Sequence, residues 1–210
     1  MSEVEILIPE TSSFSRRSFI KGVIAAGAAV SSTGYLFRTN GAYASGNLQG
    51  SVERLVTLNV NGRERRVDVL KQETLAMTLR YKLGLTGTKL GCDRGDCGSC
   101  TALVGGEQVY TCSVLTHTVR TKEIITIEGL QRADGTLHPV QQAVVDEGGF
   151  QCAFCAPGFI MSMVALTNEN PNPTREETAH ALSGNLCRCG DYDKILTSAM
   201  RAAEYVRRMA

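Results

Sequence analysis

The chain has no tryptophan and only twelve other aromatic residues, six Tyr and six Phe, in 210 residues. That scarcity argues against a stacking platform for single-stranded nucleic acid. It also lacks an excess of either charge: 22 basic against 21 acidic residues leave a formal net charge of +1. Such a balance gives no electrostatic footprint for nucleic acid or an anionic membrane. No Gly-x-Gly-x-x-Gly fingerprint and no internal repeat occur, so no nucleotide site is expected on this chain. What is plentiful is glycine, with 21 residues, and cysteine, with eight.

The cysteines fall into two sets of four. Cys92, Cys97, Cys100 and Cys112 read C-x4-C-x2-C-x11-C, and Cys152, Cys155, Cys187 and Cys189 read C-x2-C-x31-C-x1-C. Four soft thiolates per set suit zinc, copper(I) or an iron–sulfur unit. Structural zinc usually takes two short C-x2-4-C pairs, which the first set does not supply. Its C-x4-C-x2-C core with a distant fourth cysteine is the plant-type ferredoxin spacing. Gly91, Gly95 and Gly98 let the loop close around an object without Cβ clashes. Its N–H groups can then face cluster sulfides. By spacing alone the second set leaves zinc open beside a cluster. A disulfide framework is the other competitor. It is disfavoured because the chain is long enough for an ordinary core and because Cys187 and Cys189 are only one residue apart.

The N-terminus reads as a targeting segment. Ser15-Arg16-Arg17-Ser18-Phe19-Ile20-Lys21 precedes an Ala/Gly-rich run to about Phe37, and Ala42-Tyr43-Ala44 supplies a small-x-small cleavage site. This resembles a twin-arginine export signal over residues 1–44, which implies a periplasmic protein delivered folded with its cofactors. The apolar run is broken by Gly27, Ser31, Ser32, Thr33 and Gly34. It falls short of the roughly 20 apolar residues that a permanent span requires.

Two folded regions follow. In residues 51–130, Leu55–Val60 and Arg65–Val69 pattern as strands around the hairpin turn Asn61-Gly62. A short helix is expected over Thr74–Tyr81, a second hairpin around Gly105-Gly106, and a last strand over Glu123–Ile127. In residues 137–210 four helices are expected. The first opens at Pro139 and the second runs from Gly158 to Leu166. The third is capped by Thr174-x-x-Glu177, and the fourth covers Tyr192–Met209. The fold class is α+β, a small mixed sheet followed by a helical domain. The linker falls near Leu130–Leu137.

With both cysteine sets in place the chain resembles the iron–sulfur subunit of the molybdenum hydroxylases, the xanthine dehydrogenase and aldehyde oxidoreductase family. Three segments carry the resemblance: Gly91-Cys92-Asp93-Arg94-Gly95-Asp96-Cys97-Gly98-Ser99-Cys100-Thr101, Gln151-Cys152-Ala153-Phe154-Cys155-Ala156-Pro157-Gly158, and Gly184-Asn185-Leu186-Cys187-Arg188-Cys189. The resemblance implies a β-grasp ferredoxin domain with one [2Fe–2S] cluster on Cys92, Cys97, Cys100 and Cys112. It implies a four-helix domain with a second on Cys152, Cys155, Cys187 and Cys189. Gln151 and Cys189 would contact a molybdopterin held mainly by a large partner subunit. Electrons from an aldehyde or N-heteroaromatic substrate would pass through both clusters to a flavin subunit or a c-type cytochrome. No substrate-turnover site is expected on this chain. A free-standing two-cluster ferredoxin-like carrier is the alternative, but it leaves the second domain without a purpose.

Ser99, Ala153, Ala156 and Gly190-Asp191 depart from the residues usual in that family (alanine, glycine, threonine and Thr-Gly), and none removes a thiolate. His117 lies near Cys112, where it could touch a cluster, but reads as a surface or packing residue; His138 and His180 carry no assigned role. Asp93, Arg94 and Asp96 form a charged loop tip that either faces an electron acceptor or is simply solvated.

Overall fold

The computed structural model describes residue 15, residues 17–24 and residues 54–209. Residues 17–24 are helical and exposed. Arg16 and the cleavage site at Ala44 lie outside the described residues. The described residues up to 24 and those from 54 onward belong to two different units. Among the described residues no helix is long and apolar enough to cross a membrane.

In the second unit, strands β1 (Arg54–Val60) and β2 (Arg63–Val69) pair antiparallel, with Val60 opposite Arg63. The turn between them puts Asn61 at φ 53° and Gly62 at φ 70°. Both central residues of a type I′ turn need positive φ, and Asn-Gly tolerates this best. Strands β3 (Thr101–Val104), β4 (Glu107–Tyr110) and β5 (Glu123–Ile125) complete a five-stranded sheet of order β2-β1-β5-β3-β4. The β1–β5 pair is parallel and the others are antiparallel.

One face of the sheet buries Val56, Leu58, Val60, Val67, Val69 and Ile124 against Leu75 and Leu79. Leu75 and Leu79 come from the expected short helix, but it is not regular. Helix α1 (Leu75–Met77) widens at once into a π turn, Thr78–Lys82. Buried Glu73 sits behind it, taking hydrogen bonds from Thr78 Oγ1 at 2.7 Å and Lys82 Nζ at 2.7 Å. Thr78 Oγ1 also lies 2.7 Å from Thr116 Oγ1. These contacts draw the chain off the α-helical path. The last strand is shorter than its apolar run, because Thr126 N donates to Asn61 Oδ1 (2.9 Å) in place of a sheet partner.

Four helices follow: α2 (Pro139–Glu147), α3 (Ala156–Glu169), α4 (Arg175–Ala181) and α5 (Tyr192–Met209). His138 caps α2, its Nδ1 accepting from Val140 N while Gln141 Oε1 accepts from the His138 N–H. Burial, helped by nearby Arg132, lowers the imidazole pKa and so keeps this acceptor unprotonated. Thr174 and Glu177 form the reciprocal capping box of α4. Helix α3 is buried along most of its length, and Ile195, Ala199, Ala202 and Ala203 of α5 turn inward. Leu103 of β3 belongs to the same core cluster as Phe159, Met163 and Ile195. The helices therefore pack on the sheet itself.

Candidate metal centres

None of the eight cysteines forms a disulfide. The first set lies on the loop between the π turn and β3, with Cys112 added by a 3-10 turn, Thr111–Ser113. Backbone conformation aims this loop's N–H groups at sulfur. Asp96 N and Cys97 N each lie 3.3 Å from Cys92 Sγ, and Gly95 N lies 3.3 Å from Cys112 Sγ. Gly95 has φ 81°, and a Cβ there would come within 2.7 Å of Ser113 Oγ. Glycine is thus needed for the shape of the loop. Burial pushes the Cys92 thiol up, but the N–H groups of Arg94, Cys97 and Asp96 outweigh it and bring the pKa down to about 7. Cys100 is the opposite case. Burial, with Cys112 beside it, drives it up to about 12.

The second set is assembled from two helix starts. Cys155 is the N-cap residue of α3. Cys187 and Cys189 lie just before α5, where the Tyr192 hydroxyl accepts from Cys187 N at 2.9 Å. Burial, then the neighbouring Cys187, drives Cys155 up to about 12. Burial also opposes ionisation of Cys187, but the Asp191 and Gly190 N–H groups prevail and lower its pKa. Cys189 interacts with Cys152; the backbone contact favours the thiolate, yet the thiol–thiol contact and charge repulsion leave its pKa raised.

The thiols therefore meet in pairs: Cys92 with Cys97, Cys100 with Cys112, Cys155 with Cys187, and Cys152 with Cys189. Among the described residues no three Cys, His, Asp or Glu side chains converge as a single metal ion would require. Thiols brought together two by two suit a two-metal unit, each pair serving one metal. The donor chemistry fits as well. Buried Cys100 and Cys155 resist losing their protons without a cation, and soft thiolates with directed N–H donors are the setting of [2Fe–2S] units. A hollow of about 360 Å³ lies between the two loops, bounded by Gly91, Cys97, Cys152, Cys155, Cys187 and Arg188.

The two loops are fastened to each other. Leu186 N donates to Cys97 O at 2.9 Å. Asn185 Nδ2 donates to Gly98 O at 3.0 Å, and Tyr110 Oη to Gly184 O at 2.7 Å. Sequence reading missed Asn185 and Tyr110 as parts of the site. Asn185 stood in the third resemblance segment, two residues before a cysteine, but nothing in the sequence gave it a partner. Gln151, Cys152, Phe154, Arg188 and Cys189 are exposed. His117 lines a separate hollow with Val69, Leu70 and Lys71. At the loop tip Arg94 pairs with Asp96 at 2.8 Å, both largely solvated. Ala153, one of the departures, has φ 58°, the left-handed region in which glycine is at ease.

These features define a two-centre iron–sulfur protein, and comparison with known proteins makes the class specific. Residues 58–125 match the family described as 2Fe-2S iron-sulfur cluster binding domain, and residues 126–200 match the [2Fe-2S] binding domain. The chain is 46% identical to the nicotine 6-hydroxylase small subunit of Paenarthrobacter nicotinovorans, over 70% of this chain and 88% of that one. It is 37% identical to the aldehyde oxidoreductase iron-sulfur-binding subunit PaoA of Escherichia coli K12, over 95% and 92%. Among solved structures, quinoline 2-oxidoreductase from Pseudomonas putida 86 matches with TM-score 0.71 and 36% identity, over 74% of this chain and 97% of that one. The chain belongs to the iron–sulfur subunits of the molybdenum hydroxylases, the electron-transfer subunits of molybdenum-containing oxidoreductases.

Proposed function

We propose that this chain relays electrons from a molybdopterin centre on a large partner subunit, through its second cysteine set and then its first, to a flavin subunit or a c-type cytochrome. Bound on the two sets, [2Fe–2S] clusters would supply two one-electron carriers in series. Cys152, Cys155, Cys187 and Cys189 would hold one, and Cys92, Cys97, Cys100 and Cys112 the other. The observation that carries this reading is the hydrogen bond from Leu186 N to Cys97 O at 2.9 Å. It joins the residue before one ligand to the backbone of another, so a single hydrogen bond bridges the two cysteine loops. Gln151 and Cys189 are exposed beside the second set, where a pterin on the partner would meet them. The substrate belongs to the aldehydes or N-heteroaromatic compounds and is oxidised on the partner subunit. Nicotine and quinoline in the relatives' names support the heteroaromatic choice, and PaoA the aldehyde.

Electron paramagnetic resonance of the natively purified complex after dithionite reduction, with iron and molybdenum analysis, tests the relay. Two distinct [2Fe–2S] signals with co-purifying molybdenum are expected. A fully iron-loaded monomer without molybdenum would favour a free carrier instead, and zinc in place of iron would overturn both.

The paired arginines and the Ala42-Tyr43-Ala44 site support export by the twin-arginine route, which places the complex in the periplasm. Replacing Arg16 and Arg17 together by Lys is expected to retain the protein in the cytoplasm on cell fractionation. N-terminal sequencing of the exported form is expected to begin at Ser45.

A further inference from the structure

We infer that Asn185 is a positioning residue of the relay: its side chain holds the Asn185–Leu186 peptide against Cys97 and so sets the coupling between the two cluster sites. The inference rests on the electron-relay reading above and assigns a role to a residue that ligates nothing.

Asn185 is 3% exposed, and both ends of its amide are used. Nδ2 donates to Gly98 O at 3.0 Å and Oδ1 accepts from Ser162 Oγ at 2.8 Å. Ser162 lies in the middle of α3, the helix that Cys155 caps, and is itself 2% exposed. Gly98 lies between Cys97 and Cys100. One amide thus joins three pieces of chain: the first cysteine loop, the helix behind Cys155, and the loop that carries Cys187 and Cys189.

The fit is close on every side. Gly98 has φ 69°, and a Cβ there would come within 2.5 Å of Asn185 Nδ2 and 2.6 Å of Gly184 O. A Cβ on Gly158 would collide with Gly98 O. Gly98 O also accepts from Thr101 N (3.1 Å) and Thr101 Oγ1 (2.7 Å), so the acceptor that Asn185 grips is itself anchored to β3. A clamp fixed at both ends leaves the next residue little freedom, and the next residue is Leu186, whose N–H meets Cys97 O.

Electron tunnelling and magnetic exchange both fall steeply when a bonded path is replaced by a gap. Loosening the clamp lengthens the Leu186–Cys97 contact without removing any thiolate. A residue that merely stabilised the fold would alter melting behaviour and leave the coupling between the centres alone.

The test uses the natively purified complex with Asn185→Ala, Ser162→Ala and Thr167→Ala. Thr167 is a buried polar residue on the same helix, bonded only to the helix carbonyls of Met163 and Val164, and serves as the control. Two readouts are taken: the spin–spin splitting between the two reduced clusters at low temperature, and hydrogen exchange of the Leu186 amide. The wild-type complex must first show two signals and iron for two clusters. If it does not, the relay reading fails, and the failure is distinguishable from that of the clamp. The expected result is that Asn185→Ala keeps iron and both signals, loses the splitting and exposes the Leu186 amide. Ser162→Ala shifts both in the same direction, and Thr167→Ala shifts neither. Unchanged splitting in Asn185→Ala at full iron, or an equal loss in Thr167→Ala, overturns the inference. If Asn185→Ala fails to assemble, Ser162→Ala decides: narrowed splitting supports the clamp and unchanged splitting overturns it.

Discussion

At Ala153 the backbone and the side chain disagree. Its φ of 58° places an L-residue with a Cβ in the left-handed region, between two candidate ligands. The conformation is imposed by bringing Cys152 and Cys155 to the same hollow. Ala153→Gly is expected to relieve about 1 kcal/mol of strain and raise Tm by roughly 2–4 °C, read by thermal unfolding of the loaded protein. Gly158 is the converse. Within a helix glycine ordinarily costs about 1 kcal/mol relative to alanine, but here the bare Cα lets α3 approach the Gly98–Ser99 backbone. Gly158→Ala therefore destabilises, by about 1–3 kcal/mol from overpacking. Denaturant unfolding checks the sign, which is opposite to what helix propensity alone would give.

The element that departs most from a regular pattern is the turn from α1 into Thr78–Lys82. Glu73 organises it from inside. Burial pushes the Glu73 carboxyl up, but hydrogen bonds from Lys82, Thr78 and the Leu70 N–H outweigh burial and hold its pKa below 4.5, its ordinary value. A carboxyl with a folded pKa below its unfolded one stabilises the fold above the unfolded value. That contribution is lost as pH falls through the folded one. Glu73→Gln is expected to cost about 1–3 kcal/mol near neutrality. The gap between variant and wild type should close as pH falls below 4.5 and through the lowered folded pKa, measured by denaturant unfolding across the acid limb. A gap independent of pH would show that Glu73 acts through packing alone.

The same element marks where sequence reading stops. Asn61-Gly62, the Thr174-x-x-Glu177 box and the Pro139 start were legible because each signal sits within four residues and acts on its own backbone. The cysteine spacings were legible because ligation chemistry constrains them. The widening at Thr78 was not, since its cause includes Thr116, 38 residues away. Nor was the departure of Thr126 from the sheet, which depends on Asn61 at a separation of 65. The Asn185 clamp spans 87 residues to Gly98. His138 was given no role from the sequence; its capping role rests on an unprotonated Nδ1 that burial and Arg132 secure. Local rules found the elements and the thiols, while contacts over long separations decided how the two thiol sets meet.

Across the whole folded unit, Leu103 links the two halves. It lies on β3, paired with Ile125 on one side and Gln108 on the other, yet it packs in the helical core with Phe159, Met163 and Ile195. Ile125, Ile127 and Leu130 extend this contact from the sheet side. A relay needs its two centres at a fixed separation, and a shared apolar core gives that more rigidly than a linker between independent domains would. If the core is shared, the halves unfold together. Leu103→Ala, which leaves a cavity at 2% exposure, is expected to cost about 2–5 kcal/mol. It should raise hydrogen exchange equally at Ile124 in the sheet and Ala202 in the last helix, with one unfolding transition throughout. Two separated transitions, or faster exchange confined to one half, would mean that the sheet and the helices are only docked. The fixed spacing would then have to come from the Asn185, Leu186 and Tyr110 hydrogen bonds alone.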